Sequence, residues 1–321
     1  MSDDNSELDT PYSLLNAYQN LGMVGYINSP RERGLFSESQ RQPVYSEPNI
    51  AGSGKGQRAA LWAYLRALDA GAYTEKQDEP DCTSHASRNA RDTSRAVEIL
   101  VKREAESFMD RGATEPTYGA RGHAGAGMSP ARAAMFENKN GFLIRQKYPS
   151  VDLSSYRGAI GASWGRAGGV PKDVLDLCQA NKVGIIRQIR TISDAVDALF
   201  NGYALMSGQY AAWSPSPNKD HIHQRVSPGW NHAMATVGMD FTRTFWPFDV
   251  FFIVNSWGQW NQRPKEWPKD LPAWVPGMIV TKAEDWSVCV EAEDCYAYGS
   301  IDGYPPQKLP DYGTVGLLRH G

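Results

Sequence analysis

Apolar residues recur at helical spacing in the first half of the chain and gather in short, dense runs in the second. Between Gln57 and Ala70, the positions of Leu61, Ala63, Tyr64, Leu65 and Leu68 predict a helix that stops at Gly71. A longer stripe of Ala86, Ala90, Val97, Leu100, Val101, Ala105 and Phe108 predicts a second helix that starts at Cys82 or one residue later. A Gly-rich stretch from Arg111 to Met128 reads as a loop laid over a surface. A short helix at Ser129 to Glu137 and a loop-rich stretch around Trp164 follow it. From about residue 182 the pattern becomes strand-like, at Val183 to Ile189, Tyr203 to Met206, Ala233 to Val237, Val250 to Val254, Gly277 to Thr281 and Thr314 to Leu318. One helix, Ser193 to Phe200, interrupts these runs.

Helices followed by strands predict an α+β fold. Residues 1–55, rich in Ser, Asp, Asn, Gln and Pro, read as an extended N-terminal arm wrapped on a domain at 56–321. That domain divides into a helix-rich part at about 56–180 and a β-rich part at about 181–321. Pro264, Pro268, Pro272 and Pro276 mark a long connection between two strands rather than a linker between domains.

With 41% hydrophobic and 21% charged residues the chain has the composition of a globular protein, so most of its length is expected to fold. The net charge of −3, with both signs mixed along the chain, offers no field for a nucleic-acid backbone, and none is expected as a partner. No apolar run approaches the roughly 20 residues needed to cross a bilayer. The acidic, polar start MSDDNSELDT does not read as an export signal, which makes the cytoplasm the expected location. Cys82, Cys178, Cys289 and Cys295 are too few and too irregular for a disulfide framework or a CxxC metal site, and they fit a reducing compartment. The string Gly52-Ser53-Gly54-Lys55-Gly56 lacks the glycine spacing and the Ser or Thr of a phosphate loop, so it reads as a turn ahead of a helix.

One set of residues has the makings of cysteine chemistry. A thiol nucleophile needs a lowered pKa, a base within reach, a group to orient that base, and donors for an oxyanion. Cys82 sits where Pro80-Asp81 passes into a helix, whose first amides favour thiolate. His232, in GWNHAM, opens a strand and can project its ring from a sheet edge. Asn255 follows the strand Phe251 to Val254, so its amide can hold one imidazole nitrogen while the other faces the thiol. Trp257, two residues on, is placed to shield that bond from water.

In these residues the chain resembles the papain and cathepsin group of cysteine peptidases. The resemblance lies within about 80 to 320, in the order Gln, Cys, His, Asn and in the strings QDEPDCTSHA, WNHAMATVGMD and FFIVNSWGQW. His232 lies 150 residues after Cys82 and Asn255 23 residues after His232, against about 130–150 residues from nucleophile to partners in that family. The resemblance implies a two-lobed papain-like fold, in which a helical lobe carries the nucleophile, a β-barrel-like lobe carries His and Asn, and a cleft between them takes an extended peptide. It also implies that Gln77 supplies an oxyanion donor together with the Cys82 amide, and that no cofactor is needed. Three departures stand out: Gln77 is five residues before Cys82 rather than six, Glu79 stands where many relatives have a disulfide cysteine, and Thr83 replaces an aromatic residue. The segment GSGKGQRAALWAYLRAL ahead of the cysteine loop is closest in style to phage- or bacterium-encoded members.

The leading expectation is therefore an endopeptidase acting on peptide or protein substrates through Cys82, His232, Asn255 and Gln77. The alternative is a structural or cargo component of a phage virion, with dormant or secondary catalysis and phage structural proteins as partners. A transglutaminase-like acyl transfer would use the same thiol, but Asn255 stands where such enzymes usually carry Asp. His221 and His223 alternate as a strand would present them, which with Asp220 or His232 as a third ligand would suit a metal, but a polar loop entering the cleft fits them better. No metal is expected. His85, one helical turn past Cys82, is placed under or beside the nucleophile rather than as its base.

Overall fold

The computed structural model describes residues 25–39, 50–102, 107–181, 183–227 and 229–299. Helix α1 (Pro30–Ser39) lies within the N-terminal arm, of which residues 25–39 and 50–55 are described. After it come strand β1 (Arg58–Ala60) and helix α2 (Trp62–Leu68), which together replace the single predicted helix. Pairing decides this: Arg58, Ala59 and Ala60 lie antiparallel to Asp240, Met239 and Gly238, so tertiary contact overrides local helical spacing.

Helix α3 (Cys82–Leu100) begins at the expected cysteine and ends before the predicted limit at Phe108. Sixteen of its nineteen residues are buried, which makes it the central helix of the molecule rather than a surface one. Around it lie α4 (Glu115–Gly119), α5 (Pro130–Asn140), α6 (Gly158–Arg166) and α7 (Lys172–Cys178). Ser129 caps α5 by accepting the Arg132 amide, and Pro130 occupies its first turn. The Gly-rich stretch is not loop throughout, since it contains α4. It is pinned by the buried Arg121 guanidinium, which donates to the carbonyls of Tyr118, Gly125, Gly161 and Ala162.

The second half supplies β2 (Ile185–Gln188), α8 (Ile192–Phe200), β3 (Leu205–Gln209), the two-residue pair β4 (Ala212–Trp213) and β5 (Arg225–Val226), β6 (His232–Asp240), β7 (Val250–Val254), β8 (Met278–Lys282), the single turns α9 (Ala283–Trp286) and α10 (Val288–Glu291), and β9 (Cys295–Gly299). Six strands run antiparallel in the order β2-β9-β3-β6-β7-β8, and β1 adds a seventh on β6. Every residue of β3, β6, β7 and β9 is buried, so these strands read as dense apolar runs rather than alternating ones. Thr314 to Leu318, predicted as a strand, lies outside the described residues. Residues of both halves, from Ala86 and Val97 to Phe252 and Tyr298, join one continuous core. Among the described residues no helix is long and apolar enough to cross a membrane.

Candidate active site

Two elements bring the predicted residues together. Helix α3 places Cys82 at its N-terminus, and the packing of that helix against β6 brings the start of the strand to the thiol. The backbone amide of Ala233, next to His232, lies 3.4 Å from Cys82 Sγ and donates to it. Strand β7 pairs with β6 through Ala235 and Val254, and Asn255 follows directly. Continuing that register past Val254 sets Trp257 opposite His232. Their rings stack at 4.5 Å with planes 29° apart.

His232 Nε2 lies 2.7 Å from Asn255 Oδ1, and since an amide oxygen only accepts, Nε2 carries the hydrogen. Nδ1 is then the free base position. It is buried and finds no hydrogen-bond partner among the described residues. Asn255 Oδ1 also accepts the Ser256 amide at 2.7 Å, which fixes the orientation of the side chain. Trp257, Trp230 and Trp260 form an aromatic wall on this side, with ring centroids 4.6 to 5.6 Å apart.

Gln77 reaches the same place. Its amide donates to the Glu79 carbonyl at 2.8 Å, its side-chain oxygen accepts from the Ser256 hydroxyl, and its backbone amide donates to the Ser256 carbonyl at 2.9 Å. The side chain therefore ties the approach to Cys82 to the strand end that carries Asn255.

The nucleophile position is covered. Residues Gly25, Tyr26 and Ile27 of the arm run between the two halves: the Met128 amide donates to the Gly25 carbonyl at 2.7 Å, the Ile27 amide to the Met128 carbonyl at 3.1 Å, and the Tyr26 amide to the Asn231 carbonyl at 3.3 Å. The Gly25 amide is a second backbone donor to the Cys82 sulfur. A Cβ on Gly25 would stand 1.9 Å from the Pro80 oxygen, so only glycine passes here. The Tyr26 ring fills the space over Gly208, and its hydroxyl donates to Asp294 at 3.0 Å. Arg33 of α1 reaches the same carboxylate at 3.2 Å.

Cover and burial set the protonation states. Cys82 is wholly buried, and loss of solvation pushes its thiol up to about 11 despite the two amide donors. Burial likewise holds His232 down to about 4, although its bond to Asn255 works the other way. In this arrangement sulfur and imidazole are both neutral at pH 7, the reverse of the lowered thiol pKa expected at a helix start, because loss of solvation outweighs the amide donors around the sulfur.

His221 and His223 do not converge on a metal site, and no group of three candidate ligands occurs among the described residues. His223 is buried with Nδ1 accepting the Val280 amide at 3.1 Å and Nε2 at 3.2 Å from the Gln262 carbonyl, whereas His221 faces Glu266 at 3.7 Å. All four cysteines are free and buried.

No protein-family model matches the sequence, and no curated protein matches it significantly. Solved structures do match. Xylellain, a cysteine protease from Xylella fastidiosa, superimposes with a TM-score of 0.55 at 14% identity, over 88% of this chain and 97% of its own. The fold is that of the papain-like cysteine proteases. The ragweed pollen allergen Amb a 11, a cysteine protease solved in its proform, aligns with a TM-score of 0.50 at 13% identity, over 91% of this chain and 79% of its own. At such identities the papain-like likeness speaks for architecture, and the chemistry has to be argued from the residues themselves.

The sequence had indicated Cys82, His232, Asn255, Gln77 and Trp257, and all five meet in this region. The cover by Gly25 to Ile27, with Met128 and Asn231 as its partners, had no sequence signal because backbone atoms make those contacts. Tyr156 and Asp81 were missed as well. Asp81 is buried directly ahead of Cys82 and accepts the hydroxyl of the half-buried Tyr156 at 3.0 Å; adjacency to the cysteine was a signal for Asp81, and nothing in the spacing pointed to Tyr156.

Proposed function

We propose that the chain is a papain-like cysteine endopeptidase whose cleft is covered by its own N-terminal arm. Support comes chiefly from His232: Asn255 fixes its Nε2, Nδ1 is left as an unpartnered base, and the next residue's amide touches the Cys82 sulfur. With the arm displaced, Nδ1 takes the thiol proton and the sulfur attacks a peptide carbonyl. The carbonyl oxygen becomes an oxyanion facing the Cys82 amide and the Gln77 side chain, the latter after release of the Glu79 carbonyl. His232 then protonates the leaving amine, and water, deprotonated by the same ring, hydrolyses the thioester and restores the thiol.

The covered thiol also favours a second reading, a phage-particle component on a papain-like scaffold with dormant catalysis. Alkylation separates the two. On loosening the arm, Cys82 should react with iodoacetamide faster near neutral pH than the same cysteine in urea-unfolded chain. A rate no faster than the unfolded thiol would remove the activated nucleophile and leave the scaffold reading.

A further inference from the structure

Thr83 follows the nucleophile directly, at the position where the papain group usually carries an aromatic residue, and it is wholly buried. A buried hydroxyl needs a partner, and this one finds it outside its own helix: Oγ1 donates to the Met128 carbonyl at 2.9 Å. The same hydroxyl lies within hydrogen-bonding reach of the Cys82 sulfur. The Met128 carbonyl also accepts the Ile27 amide of the arm, at 3.1 Å. One side chain therefore links the nucleophile to the backbone that holds its cover.

A threonine hydroxyl has one hydrogen and two lone pairs. While the sulfur holds its proton, the S–H can point at Oγ1 and the Thr83 hydrogen is free for Met128. Once that proton has passed to Nδ1 of His232, the sulfur is an acceptor only and needs donors. Two backbone amides reach it, from Ala233 and from Gly25, and the second leaves with the arm. Thr83 can replace it by turning about its Cβ–Oγ1 bond. That turn does not strand Met128, whose carbonyl has two lone pairs and takes the Ile27 amide in the covered chain and water or a peptide amide in the open one. Asp81, at the start of the same helix, and His232, the proposed base on β6, are the titratable groups facing the sulfur, and the Asp81 charge opposes a thiolate. In the covered chain burial outweighs the Ala233 and Gly25 amides and the Thr83 hydroxyl, so the thiol stays protonated. The hydroxyl counts once the arm has opened and water has returned.

We infer that the Thr83 hydroxyl is a catalytic hydrogen-bond donor, turning from the Met128 carbonyl to the Cys82 sulfur as the thiol proton passes to His232. This rests on the reading of Cys82 as the nucleophile. The S–H bond breaks and an Nδ1–H bond forms, while Thr83 keeps its own hydrogen throughout. The hydroxyl acts on the reacting atom itself, in the place that the Gly25 amide vacates.

The test is the pH profile of Cys82 alkylation by iodoacetamide in the full chain, followed by mass spectrometry from about pH 5 to about pH 10, across the range in which thiols titrate. The covered thiol reacts only while the arm is open, so a change in how often it opens scales the rate at every pH, whereas a change in thiolate stability moves the midpoint of the profile. Thr83→Val, which keeps the shape and removes the hydroxyl, should raise the midpoint by about one pH unit, and Thr83→Ser should leave it at the wild-type value. If Thr83→Val does not fold, Thr83→Ala, which adds no bulk, should raise it in the same direction. Midpoints that coincide with the wild type while the rates merely scale would overturn the inference and leave Thr83 as a prop for Met128. Equal upward shifts in Thr83→Val and Thr83→Ser would overturn it as well. Peptide hydrolysis by the same proteins reports separately on the enzymatic reading. A raised midpoint without hydrolysis by the wild type would sink the peptidase and keep the donor, and hydrolysis with coincident midpoints would do the reverse.

Discussion

His232 is gripped from two sides, by Trp257 across its face and by Asn255 at its edge. Replacing Asn255 with Ala removes the edge contact and lets the ring turn. One lost hydrogen bond of about 1.5 kcal/mol corresponds to about a tenfold fall in kcat/KM, and a larger fall means that the wrong tautomer is also populated. Steady-state kinetics on a fluorogenic peptide would measure it, and an unchanged value would remove Asn255 from the machinery. Burial of His232 and His223, each held at about 4, also makes stability pH-dependent. Both take up protons on unfolding, so their contribution is complete above about pH 6.5 and is lost as the pH falls towards 4. Asp294, pushed up to about 6 by burial, has the opposite sign: its contribution is present at low pH and lost as the pH rises through 6. Asp294→Asn should therefore steepen the rise of unfolding free energy between pH 4 and 6 by about 1.4 kcal/mol per pH unit, one proton's worth. Urea titrations at several pH values would show it, and parallel curves for the two proteins would contradict it. At this scale the sequence was informative where chemistry demands a residue type, as at Cys82, His232 and Asn255. It was silent where Tyr26 and Arg33 meet Asp294, because nothing in their spacing connects residues so far apart.

Among the elements, α3 and β6 define the site and the arm closes it. The length of α3 was overestimated because Ala105 and Phe108 continue the apolar spacing past its true end at Leu100. Helix α6 is short, and its Gly-rich sequence GAIGASWGR gives little helical preference, so packing rather than propensity forms it. Strand β9 was missed because CYAYG is buried on both faces and shows no alternation. The arm offers the clearest test of an element. A side chain at position 25 cannot fit against the Pro80 carbonyl, so Gly25→Val should lift residues 25–27 away while leaving the core intact. Cys82 alkylation should then speed up by about tenfold or more, since a buried thiol reacts only through opening. An unchanged rate would mean that the arm is not what covers the sulfur.

At the scale of the molecule, the α+β outline was legible because helical and strand-like spacing occupy different halves of the chain. The exception is β1, which lies between α1 and α2 in the helical half of the sequence yet joins the sheet on β6. The two halves share one core and meet where α3 points at β6, so nucleophile and base arrive from opposite sides of the fold. The central claim is that this junction is a working cysteine peptidase site held shut by the arm. Its most direct test is turnover of a fluorogenic peptide mixture by the Gly25→Val chain and by the same chain carrying Cys82→Ala. The expected result is hydrolysis by the first and a loss of at least about a thousandfold in the second. Equal hydrolysis by both, or none by a Gly25→Val chain whose Cys82 is open to alkylation, would contradict the account.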